Sequence, residues 1–359
     1  MEKINVVVFF GGCSPEYSVS LSSASGVVLN LDRDKYNPLM VGITQEGCWY
    51  YYRGPVEKLL NDTWHNPEDC TPAALSPNRG EKRLLLLKES GIESLPLDIA
   101  FPVLHGCNGE DGTIQGLCTL AGIPFVGPGV AASAVSMDKS LTKLLAAQAG
   151  VRQAAYAIVS AHDFRRDPQA AAQAAASAIG SWPVFVKPCS SGSSVGVAAA
   201  QDEAQLLAGL EEAFRWDAKV LVEEFIDGQE IEVAVLGNLS PTASLAGEIA
   251  PAQEFYTFDA KYRDDSSKLY IPARIPDAAM ETVRAAAVRV YQALGCEGLS
   301  RVDFFCTRDT HEIVFNEINT IPGFTSISMY PKLFAHEGIG FTRLLDLLIG
   351  FAAGEGAHG

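Results

Sequence analysis

The residues best suited to chemistry lie on two predicted strands near the C-terminal end of the chain. Arg301 and Asp303 alternate along the first strand, and Glu317 and Asn319 alternate along the second. Side chains two positions apart on a strand share a face, so each pair points the same way. Carboxylate and amide oxygens are hard ligands that suit Mg²⁺ bound to phosphates, and Arg301 adds a cation for charge that develops in a reaction. A glycine loop at 322–326 follows, which disfavours a purely structural ion pair.

A lysine followed by a loop rich in glycine and hydroxyl groups is the second candidate. Lys187 lies near the end of a predicted strand, and residues 189–196 contain four serines and two glycines. Such a loop can donate backbone N–H groups to a polyphosphate while the lysine neutralises its charge. The lysine precedes the glycines, so this is not a Walker A loop, and a hairpin without a ligand is the alternative. Residues 222–226, with Glu230, resemble a hinge strand that could face an adenine and a ribose, and an acidic strand edge without a ligand is the alternative.

Two loops in the N-terminal third give weaker signals. Gly11 and Gly12 lie between a predicted strand and a predicted helix, ahead of Glu16, and form a candidate backbone nest. His105 leaves a buried strand for a loop with three glycines at 106–112, which permits close approach to a ligand. Taken singly, an ordinary turn and a loop histidine with a satisfied ring explain these segments as well.

The elements that must position these residues divide the chain into three segments. Residues 1–136 alternate strands and helices, which predicts an open parallel sheet with ligands at the carboxyl ends of its strands. Residues 137–228 predict a smaller α+β module with antiparallel pairing, including a hairpin-like pair of strands on either side of Asp227-Gly228. Residues 229–359 predict further strands and two helices. Residues 50–95 show no clean periodicity and predict an irregular segment.

The composition excludes several classes of partner. The 359 residues include 43 Asp and Glu against 27 Lys and Arg, for a formal charge of −16. A chain this acidic is unsuited to sequence-independent nucleic-acid binding or to docking on an anionic membrane, and no apolar run is long enough to span a bilayer. The eight scattered cysteines form no zinc motif, and without a recognisable secretion signal they favour a reduced, cytoplasmic protein. We therefore expect small-molecule partners.

Taken in order along the chain, these motifs resemble the ATP-grasp superfamily. More narrowly, the chain resembles the D-alanine–D-alanine ligases, a family that includes the D-alanine–D-serine ligases of vancomycin resistance. The resemblance covers essentially the whole chain. Besides Lys187, the segment Glu223–Glu230, Asp303 and Glu317-x-Asn319, the matching motifs are Gly11-Gly12-x-Ser14-x-Glu16, the His105–Gly116 loop, Met137-Asp138-Lys139, Ser193-Ser194-x-Gly196, Lys261-Tyr262 and residues 319–326.

The resemblance implies an ATP-grasp architecture of α/β and α+β type with three α/β-type domains. These are an N-terminal domain with an open parallel sheet (1–136), a central ATP-grasp subdomain (137–228) and a C-terminal ATP-grasp subdomain (229–359). The last would carry the metal site and a lid loop at about 252–270. The implied activity is the ATP-dependent, ADP-forming ligation of two D-alanines through an acyl phosphate, for peptidoglycan synthesis, in a cytoplasmic homodimer.

The resemblance also implies roles for individual positions. The residues implied to hold ATP are Lys139, Lys187 and Lys261 for the phosphates, Glu223, Glu224 and Ile226 for the adenine, and Glu230 for the ribose. Those implied to bind two Mg²⁺ ions, with Mn²⁺ as an alternative, are Asp303, Glu317 and Asn319. Those implied to take part in the reaction are Glu16, Ser193 and Tyr262 as a network around the ammonium of the first D-alanine, Arg301 and the Gly323 amide as an oxyanion hole, and His105 beside the reacting carboxylate. Those implied to contact the second substrate are Tyr256, Ser328 and Met329.

The second substrate stays open between D-alanine and D-serine. D-serine-adding relatives tend to have Phe and Arg at the positions of Tyr256 and Met329, so this chain favours D-alanine. The runs at 61–64 and 326–331 look closer to the resistance-type branch, which keeps D-serine as the alternative. D-lactate ranks third, because the relatives that add it lack the Lys261-Tyr262 pair in their lid.

Two other classes compete with the ligase interpretation. A dehydrogenase with a Rossmann first domain would share the N-terminal pattern, but it leaves the residues of the predicted magnesium site unexplained. A non-catalytic ATP-binding protein would tolerate the loss of Glu16, Arg301 or Tyr262, yet all three are present.

Overall fold

The first strand of the chain contains one long apolar run, residues 6–10. The computed structural model describes residues 3–192, 195–250, 268–325 and 327–354. The strands of the first sheet are β1 (Ile4–Gly11), β2 (Tyr36–Ile43), β3 (Trp49–Tyr52), β4 (Cys70–Leu75), β5 (Arg83–Lys88), β6 (Gly91–Pro96) and β7 (Ile99–Pro102), in the spatial order β6-β5-β4-β3-β2-β1-β7. Its helices are α1 (Tyr17–Asn30), α2 (Glu57–Leu60), α3 (Thr113–Ala121) and α4 (Val130–Met137). Both faces of β1 are buried, which explains its unbroken hydrophobicity.

The predicted parallel sheet is present in β2-β1-β7, whose strands pair in parallel. The prediction of an irregular segment at 50–95 is wrong, because β3, β4, β5 and β6 extend the sheet by antiparallel pairing. These strands are short, and β6 is mostly exposed, so they lack the apolar alternation that reveals a strand. Trp64 helps to hold the region: it is fully buried and its Nε1 donates to the Tyr17 hydroxyl at 2.8 Å.

The central segment forms a four-stranded antiparallel sheet. Its strands are β8 (Tyr156–Ser160), β9 (Val184–Pro188), β10 (Ala198–Ala200) and β11 (Lys219–Glu224), in the order β10-β9-β11-β8. Its helices are α5 (Lys139–Gln148), α6 (Ala161–Arg166), α7 (Pro168–Ile179) and α8 (Glu203–Ala213). As predicted, Asp138 caps α5, accepting hydrogen bonds from the Ser140 and Leu141 amides. Lys139 is thereby fixed as the first residue of that helix.

The C-terminal segment carries the third sheet. Its strands are β12 (Gly228–Leu236), β13 (Thr242–Ala243), β14 (Gly247–Ala250), β15 (Lys268–Tyr270), β16 (Leu299–Thr307) and β17 (Ile313–Asn319), in the order β15-β14-β12-β16-β17 with β13 beside β12. Its helices are α9 (Asp277–Ala293), α10 (Met329–His336) and α11 (Phe341–Ala352). One face of α9 packs through Val283, Ala287 and Val290 on the buried side chains of β12 and β16.

The predicted hairpin around Asp227-Gly228 is wrong. β11 pairs with β8 and β9, whereas β12 pairs with β13, β14 and β16. The short link therefore carries the chain from one sheet into the next instead of folding it back. Two adjacent strands joined by Asp-Gly look alike in either case, because local turn chemistry does not identify a strand's partner.

The first and third sheets share one hydrophobic core. That core brings together side chains from β1 and α1 and, from the other end of the chain, from α10 and α11. The N-terminal and C-terminal segments are thus packed into one body at the place where the candidate site lies. The domain limits drawn at 136 and 228 stay a prediction. Within the described ranges, no helix combines the length and the apolar character that crossing a membrane requires.

Candidate active site

A cleft opens where the three sheets approach one another. Its lining comes from the start of α1, the loop after β7, the α4–α5 junction, the loop after β9, and the strands β16 and β17. The described residues that line it are Glu16, Glu110, Ser136, Met137, Lys139, Thr142, Ser191, Gly192, Arg301, Asn316, Glu317, Ile318, Asn319 and Thr320. Five of the predicted site residues are among them, although they come from all three segments.

A row of carboxylates crosses the third sheet. Asp303 on β16 is paired in register with Glu232 on β12 and with Glu317 on β17. Residues opposite one another on adjacent strands share a face, so the three carboxylates lie side by side. Arg301 tempers this negative charge: its Nε lies 3.2 Å from Glu232, and its Nε and Nη2 donate to the two oxygens of Asp303 at 2.8 and 2.7 Å.

The donor set at this row fits a magnesium site. The Asn319 Nδ2 donates to Asp303 Oδ2 at 2.9 Å, so the amide and the carboxylate are already adjacent. Asp303, Glu317 and Asn319 together offer carboxylate and amide oxygens, which Mg²⁺ prefers over nitrogen or sulfur. No group of three or more His, Cys, Asp or Glu side chains is gathered for a metal in the part of the chain that the structure describes. The predicted set is a different one, two carboxylates and an amide.

A buried carboxylate lies between two lysines near the cleft, and one of these lysines contacts the lining residue Asn316. Glu223 on β11 lies 2.7 Å from the Lys187 Nζ and 2.5 Å from the Lys143 Nζ, and we call these three residues the lysine cluster. Burial alone raises the pKa of the Glu223 carboxyl, but the positive charges of Lys187 and Lys143 outweigh it and bring the pKa down to about 2. Lys187 also donates to the Asn316 Oδ1 at 3.2 Å, which aims it toward β17.

Lys143 is a cation that the sequence interpretation missed. It lies one helical turn after Lys139 on α5, and only 1% of its side chain is exposed. Burial lowers the pKa of Lys143, Glu223 opposes that effect, and the charges of Lys187 and Lys139 reinforce it. The i, i+4 spacing from Lys139 was the one signal in the sequence, because it places both lysines on one face of the helix.

Lys139 reaches the carboxylate row from the other direction. Its Nζ lies 3.5 Å from Glu317 Oε2 and donates to the Ser191 carbonyl at 2.9 Å, while its backbone N–H donates to the Cys189 carbonyl at 2.9 Å. The first turn of α5 is therefore tied to the loop after β9. Of the predicted phosphate lysines, Lys139 thus lies beside the predicted metal ligand Glu317, and Lys187 contacts Asn316, the residue before it on β17.

The predicted adenine and ribose residues have different surroundings. The Glu223 carboxylate pairs with Lys187 and Lys143, and the residue is 4% exposed. It therefore holds the two lysines in place instead of facing open solvent. The Glu224 carboxylate accepts a hydrogen bond from the Ala155 amide at 3.0 Å and secures the edge of β8. Ile226 and Glu230 are half-buried, just before and just inside β12.

Glu16 lies at the N-terminal end of α1 and is 8% exposed. Two glycines from different loops approach its carboxylate closely. A Cβ at Gly106 would lie 2.6 Å from Glu16 Oε2, and one at Gly192 would lie 2.9 Å from the same atom. Any larger residue at either position would press on the carboxylate, so the loop after β7 and the loop after β9 both close around it.

His105 is buried, and both of its ring nitrogens contact protein atoms. Nδ1 lies 2.9 Å from the Ile321 carbonyl and Nε2 lies 3.0 Å from the Ser23 hydroxyl. Burial lowers the pKa of the imidazole, although the charge of Glu16 opposes this, so the ring is neutral at neutral pH. His105 is not among the described residues that line the cleft. The geometry does not place it beside a reacting carboxylate.

Glu110 is a second residue that received no role from the sequence. Its Oε2 accepts a hydrogen bond from the Gly106 amide and its Oε1 accepts one from the Ile321 amide, both at 2.9 Å. Burial, reinforced by the charge of Glu16, raises the pKa of Glu110 to about 7. Its position within the quoted loop was visible in the sequence, but nothing there showed its partner.

The loop after β17 holds the other predicted residues. Gly323 lies close to Ser328, since a Cβ at Gly323 would be 2.7 Å from the Ser328 Oγ. That hydroxyl accepts a hydrogen bond from the Thr325 amide at 3.0 Å. Met329 is 4% exposed in the core, against Gly247, so the geometry gives no support to a substrate contact there. The predicted residues Ser193, Tyr256, Lys261 and Tyr262, and most of the predicted lid, lie outside the described residues.

Two family models match the chain. The D-ala D-ala ligase N-terminus matches residues 5–128 and the D-ala D-ala ligase C-terminus matches residues 145–350. The chain is 45% identical over 352 residues to the D-alanine–D-alanine ligase of Caldicellulosiruptor bescii, covering 98% of this chain and 96% of the relative. It is 46% identical over 351 residues to the D-alanine–D-alanine ligase of Clostridium acetobutylicum, covering 98% of each.

Solved structures agree with these sequence matches. The VanG D-Ala:D-Ser ligase from Enterococcus faecalis is similar at a TM-score of 0.88 and 42% identity, with 98% of this chain and 100% of that chain covered. The D-alanine-D-alanine ligase from Coxiella burnetii is similar at a TM-score of 0.84 and 34% identity, with 98% and 94% covered. These likenesses confirm the fold class predicted from the sequence. The chain belongs to the D-alanine–D-alanine ligase family.

Proposed function

We propose that the protein joins two D-alanines into D-alanyl-D-alanine at the expense of ATP, for peptidoglycan synthesis. The observation that carries the proposal is the arrangement of the cleft. It places the Lys139 cation 3.5 Å from Glu317, one of the proposed oxygen ligands, and Lys187 contacts Asn316 on the same strand, β17. A triphosphate with its counter-ions needs both the cations and the oxygen ligands, and the family match supplies the reaction class.

In the first step the carboxylate of one D-alanine attacks the γ-phosphorus of ATP. An acyl phosphate forms, the bond to the bridging oxygen breaks, and ADP leaves. Lys139 and Lys187 would hold the phosphates and offset their charge. Glu16 would hold the ammonium of this D-alanine, with Ser193 and Tyr262 as its proposed network. Mg²⁺ bound by Asp303, Glu317 and Asn319 would neutralise phosphate charge when it is present.

In the second step the amine of the other D-alanine attacks the carbonyl carbon of the acyl phosphate. The tetrahedral intermediate carries an oxyanion, which Arg301 and the Gly323 amide would stabilise, and inorganic phosphate then leaves. Arg301 already lies at the cleft, bridging Glu232 and Asp303. Lys261, Tyr256 and Ser328 complete the proposed contacts to phosphate and the second substrate, and the 252–270 segment is the proposed lid that excludes water.

D-serine is the second candidate for the attacking amine. The observation that favours it is the likeness to a protein described as a D-Ala:D-Ser ligase, at 42% identity over nearly the whole chain. Tyr256 favours D-alanine in our interpretation of the sequence, and the curated relatives at 45% and 46% identity carry the D-alanine–D-alanine name. We therefore place D-alanine first. A cytoplasmic homodimer is part of the proposal and rests on the family resemblance.

The test is phosphate release by the purified protein with ATP and Mg²⁺. D-alanine alone should drive release well above the rate with L-alanine, and mass spectrometry should find the D-alanyl-D-alanine dipeptide. No release above background with D-alanine, alone or with D-serine or D-lactate, would refute the ligase proposal. A mainly mixed D-alanyl-D-serine product from an equimolar mixture at neutral pH would refute the choice of second substrate.

A further inference from the structure

The loop after β17 is held from both sides by residues of the N-terminal segment. We call residues 321–325 the glycine loop, since Gly323 lies at its centre. Phe324 anchors it on one side: its ring is fully buried and packs edge-on against Phe101, with centroids 6.1 Å apart. The backbone groups of the glycine loop at 321 and 324 make further contacts with α1 and with the loop after β7.

A closed chain of hydrogen bonds runs through Ser23 and His105. The Phe324 amide donates to the Ser23 Oγ at 3.1 Å, and the Ser23 Oγ lies 3.0 Å from the His105 Nε2. The His105 Nδ1 lies 2.9 Å from the Ile321 carbonyl. A carbonyl oxygen can only accept, so Nδ1 carries the proton and donates to it. In the neutral ring Nε2 then accepts from the Ser23 hydroxyl, which leaves every donor and acceptor of the chain satisfied.

Glu110 holds the same loop from another direction. Its carboxylate bridges the Gly106 amide and the Ile321 amide, at 2.9 Å each. The Ile321 peptide groups are therefore gripped at both ends, its N–H by Glu110 and its C=O by His105. The two oxygens of one carboxylate thus meet two backbone donors, so this bridge is well suited to fix a backbone position.

The helix backbone reinforces the contact at Phe324. Gly26 lies one turn after Ser23 on α1, and a Cβ there would be 2.3 Å from the Phe324 carbonyl oxygen. Only a glycine permits this approach, since real Cβ atoms do not come so close to an oxygen. The N-terminal helix thus touches the glycine loop through a side chain and, one turn later, through its own backbone.

We propose that Ser23, His105 and Glu110 are positioning residues, which form a clamp that fixes the Gly323 amide for the oxyanion of the reaction. The inference rests on the proposed function, because that function gives the Gly323 amide its task. The clamp grips residues 321 and 324, on either side of Gly323, so an error at either end displaces the N–H between them. An oxyanion donor acts only when it is placed before the charge develops. His105 therefore works through the loop and not by touching the substrate.

The first test compares two buried serines on the same helix. Ser23→Ala removes the two hydrogen bonds that Ser23 contributes to the clamp, whereas Ser25→Ala removes a bond to the helix's own Leu21 carbonyl, at 2.9 Å. Both serines are at most 1% exposed. We expect Ser23→Ala to lower kcat at least tenfold relative to Ser25→Ala. The KM for ATP and the Tm should be the same in the two variants. A kcat equal in the two variants, or a loss in Ser23→Ala that only follows a lower Tm, would overturn the clamp.

The second test separates the two nitrogens of His105. An Asn amide can reproduce the Nδ1 donor toward the Ile321 carbonyl, whereas a Gln amide reaches the Nε2 position and lacks that donor. We expect His105→Asn to retain at least tenfold more kcat than His105→Gln, with equal KM for ATP. Equal kcat in the two variants would contradict a role through Ile321. Glu110→Gln, whose single amide oxygen can accept from only one of the two backbone N–H groups, should lower kcat as Ser23→Ala does, and an unchanged kcat would count against the clamp.

Failure of this inference and failure of the proposed function give different results. If the wild-type protein releases no phosphate with D-alanine, the function is wrong. If it does so and the variants above behave as their controls, the function stands and the clamp is wrong.

Discussion

The lysine cluster and the glycine loop, which we call the lysine side and the glycine side of the site, hold their functional atoms by different means. On one side, the lysine cluster places the Lys187 charge by ion pairs: Glu223 lies 2.7 Å from Lys187 and 2.5 Å from Lys143. On the other side, the glycine loop is held through its backbone, by hydrogen bonds with a serine, a histidine and a carboxylate. The first is a matter of charge balance and the second of position.

The difference follows from what each side must do. A lysine that meets a triphosphate adapts its long side chain to the ligand, so what matters is that its charge is present and directed. A backbone N–H has no such freedom, because it moves only with the chain around it. Changes of charge should therefore damage the first side, and changes of volume or of hydrogen bonding should damage the second.

The largest effect should come from Arg301, which belongs to neither the lysine side nor the glycine side. Arg301→Ala should lower kcat by roughly 10²–10³-fold, the loss typical of a removed oxyanion donor, while ATP still binds. Arg308, which pairs with Asp227 on the surface, offers the control, and Arg308→Ala should leave kcat within about twofold because exposed pairs contribute little. Steady-state kinetics with a separate nucleotide-binding assay measures both. Turnover that survives in Arg301→Ala would remove it from the reaction.

Removing the charge of Glu223 should disrupt the lysine side and lower the free energy of unfolding. Glu223→Gln leaves Lys143 buried without a counter-charge, which should cost about 3 kcal/mol in the free energy of unfolding and raise the KM for ATP. Glu224→Gln, one residue along the same strand, keeps an oxygen for the Ala155 amide and should cost under about 0.5 kcal/mol. Urea denaturation measures the difference. Equal stabilities would mean that the lysine cluster does not depend on its carboxylate.

Added side-chain volume at Gly26 should displace the glycine loop. Gly26→Ala drives a methyl group into the Phe324 carbonyl, so we expect a loss of about 1–3 kcal/mol and a lower kcat. Gly116, inside α3, has open space around its missing Cβ, and Gly116→Ala should stabilise the protein by about 0.5–1 kcal/mol. Thermal unfolding and kcat, measured on both variants, separate the contact with the loop from the general effect of alanine in a helix. A kcat for Gly26→Ala equal to that of Gly116→Ala would contradict the close approach.

The sequence predicted the elements whose signals are local. The apolar run of β1, the Asp138 cap of α5 and the long α9 all follow from nearby residues, and the structure has them. The acidic residues of β16 and β17 were found because strand alternation is itself local. The predictions that were wrong concern elements whose partners lie far away in the sequence. β12 joins a different sheet from β11, and the half-exposed strands at 50–95 are ordered by contacts such as those of the buried Trp64.

The site residues divide in the same way. Lys143 looks like any helix lysine until Glu223, from strand β11 much later in the chain, is beside it. Ser23 and Glu110 carry no local signal for their contacts with the glycine loop, because those contacts join opposite ends of the chain. The family resemblance implied roles for residues expected to touch substrates, and the structure adds neighbouring residues that hold some of them in place.

The smallest expected effect is a pH dependence on the glycine side. The folded-state pKa of Glu110 is about 7, above its ordinary 4.5; burial and Glu16 raise it, and the two amides and Arg301 oppose them. Between these values the folded protein keeps a proton that the unfolded chain has lost, so this group's contribution to stability falls as pH rises, and it is constant above about 7. The Tm of Glu110→Gln minus that of the wild type should therefore increase from pH 5 to pH 8. A constant difference would contradict the raised pKa.

The central claim is that a D-alanine carboxylate is activated by phosphorylation in this cleft. The most direct measurement uses D-alanine labelled with ¹⁸O in both carboxylate oxygens, with ATP and Mg²⁺, followed by mass spectrometry of the released phosphate. When the amine displaces phosphate from the acyl carbon, the bridging oxygen leaves with the phosphate. We predict one ¹⁸O in each phosphate formed with dipeptide. Unlabelled phosphate accompanying dipeptide would contradict an acyl phosphate and with it the account given for the cleft.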